Sequence, residues 1–207
     1  MTSTLETVET GLPAPDPKIV KVIETENKKF ESILKQPVGE ALVELRDGDP
    51  VTGVRRVRNG ETNMGDFVAD AYRAVLNTDV AIVNGGSLRN TISKGVFTYQ
   101  DLLTAFPFGN MSAAVEVTGQ TILDALETGA MNYPEENGGF FQVSGMTYTI
   151  DATIPSTVEM DAQGRFVGVK GEYRVKDVMI GGKPIDLAKT YTVGGVTYIL
   201  KDGGNGM

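Results

Sequence analysis

Residues 80–110 read VAIVNGGSLRNTISKGVFTYQDLLTAFPFGN, and the reading of the fold is decided there. Val80 to Val83 is a short apolar run, β-branched apart from Ala81, of the kind that makes a buried strand. It stops at Asn84-Gly85-Gly86, where either positive φ or the close approach of another backbone is expected. Ser87 and Leu88 follow, and then Arg89, a planar cation with five donors. A strand ending in a glycine turn that presents Asn84 and Arg89 builds a polar binding rim. Further on, Thr98 is expected to cap a short helix reaching Phe106, with Asp101 placed for a capping box. Pro107 breaks that helix and leaves Phe108, Gly109 and Asn110 in a turn. A ring held between proline and glycine is better placed to offer a face to a ligand than to fill a core. The plain alternative is a turn with Phe108 buried.

Upstream, residues 1–15 (MTSTLETVETGLPAP) carry no periodicity and read as a disordered lead. They lack the basic start and apolar centre of a signal peptide. Asp16 then offers an N-cap before Pro17, and Ile19, Ile23, Phe30 and Leu34 fall near one face of a helix spanning 16–36. Pro37-Val38-Gly39 ends it, and a strand is expected from Ala41 to Leu45. Between Asp47 and Glu61 lies a polar loop whose Arg55, Arg56 and Arg58 read as a solvated face. Asn63 is expected to cap a helix with Met64, Phe67, Val68, Ala71 and Val75 as its core stripe.

Downstream, Ala113–Val117 reads as a strand and Gln120–Asn132 as a helix with Ile122, Leu123, Leu126 and Ala130 inward. Glu135–Gly139 is expected to be a flexible polar loop. Phe140 and Phe141 point to opposite faces of the next strand, so one of them should be core. From Met146 to Val193 short strands alternate with Gly and Asp turns. The patterns thus alternate helices with short strands after a first helix over 16–36, in a chain of the length of one domain or one domain with an arm.

Composition narrows the chemistry. The formal charge of −8 leaves no basic stripe for a nucleic-acid backbone, and no apolar run is long enough to span a membrane. The sequence has no Cys and no His, which removes thiolate and imidazole metal ligands, a Cys nucleophile and a Ser-His-Asp triad. A carboxylate site for magnesium or calcium would need a clustered acidic loop, and none of the D-x-D-x-D-G type occurs. No catalytic residue and no metal ligand is therefore assigned, and no cofactor is expected in this chain.

The NGG-x-hydrophobic-R stretch, the PFGN turn and TGQTILDALE stand in one order with ETNMGDFVADA, FFQVSGMTYTID and KTYTVGGVTYILKDGGNGM around them. In that combination the chain resembles the C-terminal, substrate-binding domain of the 5'-nucleotidase family, over about residues 17–207. The family includes UDP-sugar hydrolases and 2',3'-cyclic-nucleotide phosphodiesterases. The resemblance implies an α+β (mixed α/β) domain over residues 37–207, a mixed sheet flanked by helices and preceded by a linker helix, that holds a nucleotide or nucleoside. Hydrolysis would belong to a partner, an N-terminal metallophosphatase domain with divalent metal ions, and the 16–36 helix would join the two. It implies a parent that is periplasmic, secreted or on the cell surface, and a chain inactive alone.

In the family two aromatic rings sandwich the base. Carried over, Phe108 is one of them; the second aligns with Ile199, with Tyr198 the nearest ring. Arg58 and Arg89 would bond ribose or phosphate oxygens, and Asn84 and Asn110 would read base or sugar edges. Three departures stand out. Ser87 replaces the third glycine of an N-G-G-G pattern, Ile199 replaces a ring, and Asn205 replaces the acid that accepts from ribose hydroxyls. Members also continue beyond this last motif, so a truncated end is expected. The departures leave a second reading open, a non-catalytic module that has lost nucleotide binding and serves adhesion or assembly.

Overall fold

The computed structural model describes residues 14–207; most of the expected 1–15 lead lies outside the described residues. In chain order the elements are α1 (Pro17–Leu34), β1 (Pro37–Ala41), α2 (Asn63–Leu76), β2 (Val80–Asn84), β3 (Gly95–Thr98), α3 (Tyr99–Ala105), β4 (Ser112–Thr118) and α4 (Gly119–Ala130). They continue with β5 (Phe141–Ser144), β6 (Met146–Ile150), β7 (Val158–Met160), β8 (Phe166–Val169), β9 (Val175–Ile180), β10 (Lys183–Pro184), β11 (Thr190–Val196) and α5 (Thr197–Leu200).

The central sheet has the order β4-β11-β2-β5; β2 and β11 run parallel and the other pairs antiparallel. Every residue of β2 is buried, as its unbroken apolar run requires. Its side chains alternate between two cores. Val80 and Ile82 join Ile122 and Leu126 of α4, with Phe141, Tyr191 and Val193 from the neighbouring strands. Val83 instead joins Met64, Val68 and Ala69 of α2, with Ala41, Val57 and Leu88. Sheet and two helices thus form the α+β core, with β10-β9-β6 as a second sheet. Among the described residues, no helix is long and apolar enough to cross a membrane.

The helix ends follow local chemistry. Asp16 caps α1 by accepting from the Lys18 N–H at 2.8 Å, and Pro17 occupies the first turn. Thr98 and Asp101 form the expected capping box on α3. At α2 the cap is Thr62 rather than Asn63: Thr62 Oγ1 accepts from the Gly65 N–H, while the Asn63 amide bridges Arg46 N–H and the Glu44 carbonyl. The α2 stripe also differs from expectation. Met64 and Val68 are core, but Phe67 is 42 % and Val75 82 % exposed. The inward face uses small residues because the helix lies close to β5: a Cβ on Gly65 would sit 1.9 Å from Gln142 Oε1.

Three further expectations change. The strand after α1 begins at Pro37, pairs with β3 and ends at Ala41; beyond it only Leu45 bridges to Ile92. Phe140 and Phe141 are both buried, Phe141 in the α4 core and Phe140 stacked on Tyr133 at 6.5 Å between ring centroids. The 135–139 segment is tied down, since Asn137 N–H donates to Arg58 O (2.9 Å) and Gly138 O accepts from Gly86 N–H (2.9 Å).

Asp66, in the first turn of α2, has its carboxyl pushed up to about 6 by burial, with repulsion from Glu61 and Asp70 adding to it. A raised carboxyl pKa means the fold disfavours the charged form. That penalty is full above pH 6, shrinks as the pH falls toward 4, and is gone below the ordinary value of 3.8, where both states hold the proton. Asp66→Asn should therefore raise the melting temperature at pH 7 and leave it nearly unchanged at pH 4. Equal shifts at both pH values would refute the burial argument.

Candidate functional site

β2 delivers Asn84 to the end of the sheet, and the chain then winds through one 3-10 turn, Gly85–Ser87. Of the two uses of glycine considered for this turn, the structure takes close approach, since neither Gly85 nor Gly86 has positive φ. A Cβ on Gly85 would stand 1.9 Å from the Val57 carbonyl oxygen, so the 55–58 loop lies directly against the turn. That contact also sets the Arg58 backbone nitrogen 3.2 Å from the same point, next to Gly85. Gln142, fully buried, secures the loop from below. Its Nε2 donates to the carbonyls of Val57 (3.1 Å) and Gly60 (2.7 Å), and its Oε1 accepts from Thr62 N–H (3.1 Å).

A cleft of about 260 Å³ opens above the turn, lined by Asn84, Gly86, Ser87, Phe108, Asn110, Gly138, Tyr198 and Asn205. Phe108 comes from the turn after α3, where Gly109 at φ +59° lets the chain reverse, and its ring is 56 % exposed. The Arg89 guanidinium lies over that ring, 5.7 Å from its centroid, and reaches back to the Gly86 carbonyl at 3.4 Å. Asn110 is exposed on the same rim. Asn84 is braced on both sides: its amide donates to Gly138 O at 3.1 Å and accepts from Ser87 Oγ at 2.5 Å. It shapes the wall more than it reaches into the opening. The serine that departs from the glycine pattern thus fixes which way the Asn84 amide points.

The far wall comes from the end of the chain. In α5 successive side chains turn by about 100°, so Tyr198 faces the cleft at 40 % exposure while Ile199 is 4 % exposed in the core. Of the two, Tyr198 lines the cleft across from Phe108, and Ile199 belongs to the core. Asn205 sits at φ +55°, a left-handed conformation that asparagine tolerates, with its Oδ1 3.5 Å from the Tyr198 hydroxyl. Since Ile199 packs against apolar neighbours, Ile199→Phe should register in thermal stability and leave the affinity of any ligand held in the cleft unchanged. A gain in affinity by titration would contradict this placement.

Arg58 is next to the cleft rather than in its lining. Burial lowers its guanidinium pKa, and repulsion from Arg55 and Arg89 lowers it further, with Glu136 opposing. Its Nε is buried without a partner. Arg55 is held by Asp47 at 3.5 Å and by the Leu88 carbonyl, so only Arg56 of the three loop arginines is exposed as a solvated face would be. Arg55, Arg58 and Arg89 thus stand near enough to repel one another, but none of them lines the cleft, and only Arg89 reaches its rim, over Phe108. Among the described residues, no group of three or more metal-ligating side chains converges. The Gly138 wall was not singled out from sequence; the Gly138-Gly139 pair is the one signal that could have marked a close approach.

The geometry defines an α+β domain with a ring-flanked, amide-lined cleft at the end of its central sheet. The chain belongs to the family described as 5'-nucleotidase, C-terminal domain, which matches residues 37–207. A 5'-nucleotidase of Vibrio cholerae is 33 % identical over 135 residues, covering 65 % of this chain and 21 % of that protein. An endonuclease of Bacillus subtilis (strain 168) is 30 % identical over 146 residues, covering 70 % of this chain and 11 % of the other. The crystal structure of a 5'-nucleotidase precursor from Thermus thermophilus superposes with a TM-score of 0.69 at 31 % identity, over 93 % of this chain and 36 % of that one. The chain thus spans a minor part of each of these longer proteins.

Proposed function

We propose that this chain is the nucleotide-recognition part of a 5'-nucleotidase-type phosphoester hydrolase. It holds the nucleoside, while a separate N-terminal domain carrying divalent metal ions cuts the phosphate. The parent protein would work outside the cytoplasm, in the periplasm, in the medium or on the cell surface, in nucleotide breakdown. What supports the reading most is that Phe108 and Tyr198, distant in sequence, line one cleft with the amides of Asn110 and Asn205. The base would lie between the rings, on the side of Phe108 that Arg89 does not cover. Arg89 over Phe108, with Arg58 next to the cleft, suits an anionic group. An amide at 205 accepts through its carbonyl without charge assistance, so ribose recognition is weaker than with an acid.

The test is calorimetric titration of adenosine and AMP into the pure chain, beside a phosphate-release assay with magnesium, manganese, calcium and zinc. Weak, saturable binding of both ligands and no phosphate release are expected, because two metals normally orient the attacking water in such hydrolases. Phosphate release at enzyme-like rates would overturn the division of labour. Absence of binding by either ligand would overturn nucleotide recognition and leave the assembly module.

A further inference from the structure

β4 is the end strand of the central sheet, and the site described above makes no use of its outer edge. On its inner side it pairs with β11 through seven successive residues, Ser112↔Val196 to Thr118↔Thr190, without a bulge. In an antiparallel ladder alternate residues bond the neighbour, and those between turn their N–H and C=O groups the other way. Among the described residues, no backbone group takes up the outward bonds of Ser112 to Val117. Natural edges of this length are blunted by proline, charged side chains, a bulge or a covering loop. The strand, SAAVEVT, has no proline and no bulge, and its one charge is Glu116. Beside it lies an apolar cavity of about 160 Å³, lined by Val115 and Val117 together with Ile122, Leu200 and Met207 among others.

We propose that this edge is a self-association surface, on which β4 of a second copy pairs antiparallel about a two-fold axis at Val115 and joins the two sheets into one. A two-fold contact requires a self-complementary patch. With the axis at Val115, Val115 meets its own copy, Ala113 faces Val117, Ala114 faces Glu116, and Ser112 faces Thr118. Each smaller side chain meets a larger one, and the strand's one charge lies opposite alanine. Moving the axis to Glu116 would set two carboxylates face to face, which is destabilising. The net charge of −8 opposes association, so the dimer should tighten as salt is added.

The test is sedimentation of the full chain from micromolar to millimolar concentration, with variants at the exposed Ala114. The wild type should show a concentration-dependent dimer. Ala114→Glu places like charges opposite each other twice per dimer and should weaken it about fivefold, while Ala114→Lys should tighten it about fivefold. The chain has no cysteine, so register can be read directly. Under oxidation Val115→Cys should form a disulfide-linked dimer, because opposed residues have Cα atoms about 4.5–5.5 Å apart, and Ala113→Cys should not. A monomer at every concentration, an indifferent Ala114→Glu, or equal cross-linking at 113 and 115 would each overturn the proposal. Adenosine titration of Ala114→Glu should match the wild type, so this proposal and the nucleotide reading fail separately.

Discussion

Phe108→Ala should weaken adenosine binding about tenfold to a hundredfold, whereas Arg89→Ala should weaken it only a few-fold. Loss of one base–aromatic stack costs on the order of 1–3 kcal/mol by alanine substitution, and 1.4 kcal/mol is a factor of ten. Phe108 is suited to that role because its ring is exposed at the turn between Pro107 and Gly109. Arg89 lies over one face of the ring, and an exposed cation–π contact contributes about 0.5–1 kcal/mol. Removing Arg89 therefore frees a ring face without taking away the stacking surface. For AMP the arginine should matter more than for adenosine, though an exposed ion pair contributes only about 0–1 kcal/mol. Calorimetric titration of both ligands into both variants decides the point. If Phe108→Ala binds adenosine as the wild type does while Arg89→Ala abolishes binding, the base is not stacked on Phe108.

What could be read from the sequence was what local chemistry determines. An unbroken apolar run gave β2, Asp16-Pro17 gave the start of α1, and Thr98 with Asp101 gave the cap of α3. The segments carrying Asn84, Phe108, Asn110, Tyr198 and Asn205 were legible because glycine and proline punctuate them. How those segments assemble is a matter of tertiary geometry. At α2 both Thr62 and Asn63 can cap a helix, and the chain uses Thr62 because Asn63 bonds across to residues 44 and 46. Phe67 belongs to the hydrophobic stripe, yet the sheet approaches α2 along Gly65 and Ala69 and leaves the ring outside. Ile199 aligned with a ring position, but the single turn of α5 aims the preceding residue into the cleft. Buried polar residues carried no pattern at all. Glu127, fully buried, accepts from the N–H groups of Arg174 (3.1 Å) and Val175 (2.9 Å), partners more than forty positions away. Arg174 in turn donates to the carbonyls of Ala130, Met131 and Tyr133, which fixes the end of α4. Only the folded chain pairs such groups, and burying them unpaired would be costly.

Gly85→Ala should destabilise the fold by about 1–3 kcal/mol and abolish nucleoside binding together. The added methyl would lie 1.9 Å from the Val57 oxygen, 2.6 Å from its carbonyl carbon and 3.2 Å from the Arg58 nitrogen, all backbone atoms. None of these can move away alone. Val57 is fully buried, its N–H donates to Asp47 O at 3.0 Å, and its carbonyl accepts from Gln142 at 3.1 Å. Arg58 N–H donates to Arg55 O at 2.8 Å, and Arg58 O accepts from Asn137 N–H at 2.9 Å. Relief must come from shifting the whole 55–58 loop or the Asn84 turn, and either movement separates Arg58, Asn84 and the Gly138 wall. In a chain of this size such a loss corresponds to a fall in melting temperature of about 2–10 °C. Gly86→Ala offers the comparison, because its methyl would meet Gly138 O at 3.0 Å and the Asn84 amide at 3.2 Å. That crowding can be relieved by a few tenths of an ångström, so Gly86→Ala should fall between Gly85→Ala and wild type. Thermal melts and adenosine titrations on the two variants measure both consequences. A Gly85→Ala protein as stable as the wild type and still binding adenosine would show that the loop at Arg58 does not hold the cleft in shape.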